Sequence, residues 1–342
     1  MKLEVWDTRQ PPDPGFERDW LASLGRCPNA SFALDPRFLA WEARHGRHAL
    51  AVRVANGERA AALVLRSQGA GLVSGWPWRW QIVVEDPARS AAAGLTAEEC
   101  AWFFERARAI AGGRRLRCFV PVGVPARDGG FPAGATLLRS LREDDDGFLR
   151  QMDVNKRRAV KRALREGWEV RLAAGPEELR AFAVILREVE LARGMRVPEV
   201  PAVTPGPGEG WREWELPWMW LLVAVRNGAV GAGSGYGVMP GGTVDYRANA
   251  SSSEARKTGA NALLAWAALR RGRDHGCRWM NWGGVTEFKR ELGGERVEVT
   301  CRLGGGAAWA LPNAAAVAWR HARRRLPAIA RALRPREEGG GS

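Results

Sequence analysis

The chain has 342 residues, 46% of them apolar, and 52 lysines and arginines against 38 acidic residues give a net charge of +14. That apolar content supports a substantial core and excludes wholesale disorder, and no apolar run approaches the ~18 residues of a membrane span. Five scattered cysteines without a CxxC pair and four histidines without HExxH spacing argue against disulfides, structural zinc and a zinc hydrolase, so no metal is expected. The N-terminal MKLEVWDTRQPPDPGF lacks a signal-like apolar stretch, which predicts a soluble, cytoplasmic protein. The charge exceeds what solubility requires and suits a polyanion: nucleic acid, a nucleotide-linked substrate or an anionic membrane face. An arginine-rich genome would leave the same excess.

Residues 26–46 read as a loop and then a helix capped by Asp35, with Pro36 in its first turn and Phe38, Leu39 and Trp41 on its apolar side. His45 and His48 fall in the loop that follows and read as surface residues rather than metal ligands. Residues 50–65 form a hairpin about Asn56-Gly57, because both central residues of a type I′ turn need positive φ. Strand continues through Trp76, Trp78 and Trp80 to Val84. Thr96 and Glu99 make a capping box for a helix reaching about Gly112, and Leu116 to Val122 is a strand. A glycine- and proline-rich loop at 123–134 precedes a strand from Thr136 to Leu141. The acidic run Glu143 to Asp146 reads as a solvated turn rather than a cation site.

Asp153 opens a helix that ends at Gly167 and carries Lys156, Arg157, Arg158, Lys161, Arg162 and Arg165, with Val160, Ala163 and Leu164 toward the core. Such a face can track a phosphate backbone, and a solvated basic face has the same composition. A strand at Trp168 to Leu172, an amphipathic helix at Pro176 to Arg193 and a loop at 200–210 lead to a second hairpin, about Asn227-Gly228. Thr243 to Ala248 is a strand, Lys257 to Gly276 a helix, and Cys277 to Trp282 a buried strand. Gly283 and Gly284 then turn the chain into a short helix bearing Phe288, Lys289 and Arg290, closed by Gly293-Gly294. Glycines there allow a substrate close to the backbone, and a fixed cation can meet negative charge developing in a reaction. The order hairpin, strand, helix, strand thus occurs twice, half a chain length apart, which predicts two copies of one mixed α/β unit. Residues 313–334 form a basic amphipathic helix interrupted at Pro327.

The second half resembles the Fem-type (FemABX) aminoacyltransferases. The resemblance rests on the basic helix NKRRAVKRALREG, the serines Ser251 to Ser253 before a helix, and Gly283-Gly284-Val285 running into Phe288-Lys289-Arg290-Glu291-Leu292-Gly293. It covers about 150–300 well and 28–122 in outline. It implies an α/β (α+β mixed sheet) fold of two tandem GNAT-like acyltransferase domains without a coiled-coil arm: 1–150 on the acceptor side, 151–311 with the motif, and 312–342 as basic helix and tail. The implied reaction is transfer of an amino acid from aminoacyl-tRNA to an amine of a peptidoglycan precursor or of a peptidyl or nucleoside natural-product intermediate, by a monomer. The activated ester needs no further cofactor.

On this resemblance Lys289 meets the oxyanion and Phe288 stacks on the terminal adenosine. Gly283, Gly284, Asp245 and Arg247 fall to substrate binding, and Lys156, Arg157, Arg158, Lys161 and Arg162 to tRNA. The proton acceptor is left open among Glu287, Asp245, water and the substrate's own carboxylate. Members using a UDP-linked muropeptide carry Trp-x-x-x-Lys in the first domain, whereas here Trp41 is followed by Glu42-Ala43-Arg44-His45. Arg37 or Arg44 substitutes loosely for that lysine, and Arg196 sits near a second phosphate-contacting position. The main rival is a CoA-dependent N-acyltransferase, with acetyl-CoA as donor and Arg256-Lys257-Thr258-Gly259-Ala260-Asn261 as the pyrophosphate loop. A non-catalytic RNA-binding protein is the third reading.

Overall fold

The computed structural model describes residues 2–27, 29–68, 82–84, 90–110, 115–119, 131–194 and 216–304. Trp76, Trp78, Trp80, Arg196 and the tail helix lie outside the described residues. The first half runs β1 (Lys2–Asp7), α1 (Pro14–Arg26), a 3₁₀ turn (Phe32–Leu34), α2 (Pro36–Arg44), β2 (Ala49–Asn56), β3 (Arg59–Gln68), β4 (Ile82–Val84), β5 (Ser90–Ala93), α3 (Ala97–Ile110), β6 (Arg115–Phe119) and β7 (Phe131–Ser140). The second half runs α4 (Asp145–Gln151), α5 (Val154–Arg165), β8 (Glu169–Leu172), α6 (Pro176–Ala192), β9 (Met219–Arg226), β10 (Ala229–Val238), β11 (Thr243–Ser251), α7 (Ser253–Thr258), α8 (Ala260–Asp274), β12 (Trp279–Gly284), α9 (Glu287–Glu291) and β13 (Glu295–Gly304).

The expected duplication is present in the strand pairing. In the first half β1, β2, β3 and β4 pair antiparallel in turn, and β4 then pairs parallel with β6 across the α3 crossover. In the second, β8, β9, β10 and β11 repeat the antiparallel series, and β11 pairs parallel with β12 across α7 and α8. The last strand of each half does not stay at home. β7 lies against β12, β13 lies against β6, and β7 and β13 pair with each other, so the order is β6-β13-β7-β12 through the middle of one sheet. β7 thus precedes residue 151 yet hydrogen-bonds only to strands of the second half.

Local chemistry explains several departures from the expected elements. The first hairpin pairs Asn56 with Arg59, so its loop is Gly57-Glu58 with positive φ (+59°) at Gly57, the pattern of a type II′ turn. Only the second hairpin centres on its Asn-Gly pair, with φ 51° at Asn227 and 78° at Gly228. The capping box at Thr96 and Glu99 forms as expected, each backbone N–H bonded to the other's side chain. The acidic run is not a solvated turn: Asp144 caps α4 by accepting from Gly147 N (2.6 Å), and Asp145 pairs with Arg270 and Arg273 of α8.

On α5, Ala159, Val160 and Ala163 are buried, while Leu164 is 49% exposed rather than in the core. At 100° per residue those three span a 100° arc from Ala159 to Val160, and Leu164 lies 40° beyond its Val160 edge, at the border of the buried face. The helix expected from Lys257 to Gly276 begins earlier, at Ser253, and is two helices broken at Gly259 (φ +92°). A β-carbon on Gly259 would stand 2.4 Å from the carbonyl oxygen of Ala159, so the break lets α5 seat directly on the α7–α8 junction. α5 and α8 cover one face of the second half-sheet around Val160, Leu264 and Trp282; α6 covers the other around Leu179, Phe182 and Val223.

Candidate active site

β11 and β12 stay paired only from Thr243/Trp279 to Asp245/Asn281 and then part, β11 following β10 and β12 following β7. At the parting point β11 carries a bulge: the register steps from Tyr236↔Tyr246 to Gly235↔Ala248, leaving Arg247 as the extra residue. A bulge re-aims side chains and frees backbone from the ladder, and such features gather beside active sites. The gap opens at the C-terminal ends of two parallel strands, with Tyr246 on one side and Gly283 on the other.

Lys289 reaches into this gap from α9, whose N-cap Thr286 accepts from the Lys289 N–H (3.4 Å). Its ammonium stands 4.7 Å from the centre of the Tyr246 ring and close to Gly283, where an added β-carbon would lie 3.7 Å from Nζ. Among the described residues no carboxylate pairs with it. Burial pushes its pKa down from the usual lysine value, and the ring's π-face takes the place of a counter-ion. Tyr246, packed edge-on against Tyr236 and Trp282, has its own pKa pushed up to about 12 by burial. A half-buried cation facing a gap without a partner is equipped to receive negative charge.

The Gly283 turn (φ +70°) is held from behind by a buried polar chain. Asn281 Oδ1 accepts from the Gly283 N–H (2.9 Å) and from Thr136 Oγ1 (2.6 Å), and Asn281 Nδ2 donates to Asp245 Oδ1 (3.0 Å). Asp245 Oδ2 accepts from Ser31 Oγ (2.6 Å) and Thr243 Oγ1 (3.0 Å). Asp245 is 5% exposed and burial raises its pKa despite these three donors. Both oxygens are taken by these donors, so in this arrangement Asp245 braces the turn. On the far side of α9, the buried Arg139 of β7 donates to the carbonyls of Leu292 and Phe148, fixing the end of the Phe-Lys-Arg segment. Desolvation brings the Arg139 pKa down to about 10.

Phe288 is partly buried against the core, and Lys156 Nζ sits 4.8 Å from the centre of its ring, so that face is not free to stack. Lys156 also pairs with Glu291 (3.0 Å), and the Asp153 N–H donates to the Glu291 carbonyl (2.8 Å). The start of the basic helix is thereby fastened to the end of α9. Arg158, Lys161 and Arg162 are exposed and Arg157 half-exposed, none with a carboxylate partner among the described residues. Arg247 is exposed, its guanidinium 5.3 Å from the centre of the Phe32 ring. Gly284 ends β12 and is exposed.

Arg37 and Arg44 lie apart from the gap residues in the chain and meet in a cleft of about 580 Å³ whose walls include Trp6, Arg9, His48 and Trp218. Arg37 is bound to Asp35 (2.7 Å) and lies over Trp218, and the buried Trp218 Nε1 has no partner among the described residues. His45 turns away, its Nδ1 2.8 Å from the Trp41 carbonyl oxygen. The CoA-type segment departs from expectation: Arg256 to Thr258 are helical, the start of α8 is closed by α7 and the Ala159 carbonyl, and Asn261 donates to Ser251 Oγ (2.9 Å).

Ser31, Thr136, Tyr246, Arg139 and Asn281 are parts of this site that sequence reasoning did not single out. A signal existed for Asn281, a polar residue within the strand WMNW. The others carry none, since they arrive from distant segments.

Residues 150–290 match the model of the acetyltransferase (GNAT) domain. FemX superposes with a TM-score of 0.61 at 13% identity, covering 86% of this chain and 98% of FemX. The chain has the Fem-type GNAT fold. The C-terminal domain of an Agrobacterium fabrum protein assigned as a lysylphosphatidylglycerol synthetase shares it, with a TM-score of 0.54 at 16% identity over 89% of this chain and 96% of that domain. Among curated proteins none matches this chain by sequence. Within the Fem-type fold the β11/β12 gap, the bulge and Lys289 fall in the half that carries the GNAT match. Among the described residues no helix is long and apolar enough to cross a membrane.

Proposed function

We propose that the chain is an aminoacyltransferase that moves an amino acid from aminoacyl-tRNA to an amine, forming an amide. The observation that carries this reading is the Lys289 ammonium in the β11/β12 gap, which faces the Tyr246 ring and has no carboxylate partner among the described residues, on an element fastened to the cationic helix α5. In the reaction the acceptor nitrogen attacks the ester carbonyl and forms the C–N bond. The carbonyl oxygen gathers negative charge opposite Lys289, and collapse breaks the C–O bond to the ribose, which leaves as the hydroxyl with the proton lost by the amine. Glu287, exposed on α9, water and the acceptor's own carboxylate are the remaining candidates for carrying that proton, Asp245 being occupied.

The acceptor is a peptidoglycan precursor or a peptidyl or nucleoside natural-product intermediate that carries negative charge. Arg44, which has no carboxylate partner among the described residues, would meet it in the cleft that Arg37 also lines, with His48 beside it. The CoA-dependent alternative requires free backbone N–H groups at the start of α8, and the seating of Ala159 on Gly259 disfavours it. The test supplies purified protein and an acceptor amine with labelled aminoacyl-tRNA or acetyl-CoA. Label transfer from tRNA that RNase abolishes supports the reading, and RNase-insensitive product from acetyl-CoA alone refutes it.

A further inference from the structure

The seating of Ala159 on Gly259 disfavours the segment Arg256 to Asn261 as a pyrophosphate loop, and its exposed cations Arg256 and Lys257 have no part in the gap. Their position gives them another. α7 is locked beside α5 by Gly259 against Ala159 and by Trp168 Nε1, just beyond the end of α5, donating to Thr258 Oγ1 (2.9 Å). Arg162, three residues past Ala159, lies on that side of α5, since residues three apart share a helix face. Arg158, Lys161 and Arg165 are exposed along the same helix. Two nearby acids, Glu166 and Glu254, share Arg226, which also lies over Trp168, so one of their two charges is offset and the cations of α5 and α7 outweigh the other. The result is a continuous cationic surface from α5 onto α7.

This surface has a direction. The first turn of α5 is tied to α9 through Asp153, Lys156 and Glu291, next to Lys289. From there the 12 residues of α5 extend about 18 Å, long enough to follow several phosphates of one strand. We infer that α5 and α7 together form the docking surface for the double-stranded stem of the donor RNA. The unpaired aminoacylated end then enters at α9, and the stem lies along Arg158, Lys161, Arg162 and Arg165 with Arg256 and Lys257 beside it. This rests on the aminoacyl-tRNA reading, and it assigns the orientation of the RNA and a second contacting element.

The test compares two donors, full-length aminoacyl-tRNA and a short aminoacylated single strand carrying only the unpaired 3′ end. Replacing Arg256 and Lys257 with Glu should weaken tRNA binding about tenfold or more and lower the slope of log affinity against log salt by about two. The loss of transfer should be at least tenfold larger with the full-length donor than with the stemless one. Lys156→Met, at the mouth, should affect both donors alike. Unchanged tRNA affinity and salt slope in the α7 variant would overturn the inference while leaving aminoacyl transfer standing. So would lost binding to phosphatidylglycerol vesicles with tRNA binding intact, which would assign the patch to a membrane. Absence of transfer from either donor in the wild type would instead defeat the underlying reading.

Discussion

The brace behind the Gly283 turn makes a demanding prediction because its donors and acceptors can be counted. Asp245 accepts on both oxygens, from Asn281 on one and from Ser31 and Thr243 on the other. Asp245→Asn keeps the shape but offers one oxygen and one NH₂ where two acceptors stood. With its oxygen toward Asn281, the NH₂ displaces the donation from Ser31 and Thr243; with its NH₂ toward Asn281, Asn281 must flip and lose the bonds to the Gly283 N–H and Thr136. One buried donor left without an acceptor costs about 1–3 kcal/mol, so stability should fall by that amount and transfer should slow as the turn relaxes. Adding Asn281→Asp reverses the polarity: an amide at 245 can donate to a carboxylate at 281, which accepts from Gly283 and Thr136 as before.

Urea unfolding of the two single variants and the pair should therefore show the double variant more stable than the sum of singles predicts, by about 0.5–3 kcal/mol. Simple additivity would refute the network. The acid limb gives a second check. With its folded-state pKa raised above the unfolded value of about 3.9, Asp245 binds a proton more readily in the fold. Its share of stability is thus greatest at low pH and lost as pH rises through the folded pKa. Asp245→Asn should remove that slope.

Lys289→Met should lower kcat by about 10²–10³, the range of a lost oxyanion contact, with little change in tRNA affinity; single-turnover rates and filter binding separate the two, and an unchanged rate removes Lys289 from the chemistry. Replacing Arg157, Arg158 and Lys161 with Glu should weaken tRNA binding and reduce its salt slope by about three, measured by titration at several salt concentrations. Gly259→Ala forces a side chain into positive φ and against the Ala159 carbonyl, at a cost of about 2–5 kcal/mol read from denaturant midpoints. Loss below 1 kcal/mol would mean α5 does not seat there.

What could be read from the residues was local. The Asn227-Gly228 turn, the capping box at Thr96 and the cationic run of α5 each depend on neighbours in sequence, and each formed. Asp35 capped α2 as read, accepting from the Arg37 N–H (2.8 Å). The exchange of β7 and β13 was not legible, because strand partners half a chain apart are chosen by the whole sheet and leave no spacing signal. β1 and α1 were missed for a milder reason: Lys2 to Asp7 is short and half-exposed, and α1 carries charges throughout.

The site divided the same way. Gly283, Lys289 and Lys156 stood in one motif and its preceding helix, and the structure brings them together. Asp245 had looked like a free acid. Only the fold delivers Ser31 from the first half, 214 residues away, to occupy it. Helix break and occlusion at Gly259 likewise depend on where α5 packs, so a short loop pattern overstated its own accessibility.

The most direct test is the rate of amide formation from labelled aminoacyl-tRNA in wild type and Lys289→Met, with and without prior RNase, beside a parallel reaction with acetyl-CoA. RNase-sensitive transfer in the wild type, slowed about 10²-fold or more in the variant, with none from acetyl-CoA, is the expected result. Product from acetyl-CoA that survives RNase and is indifferent to Lys289 would contradict it.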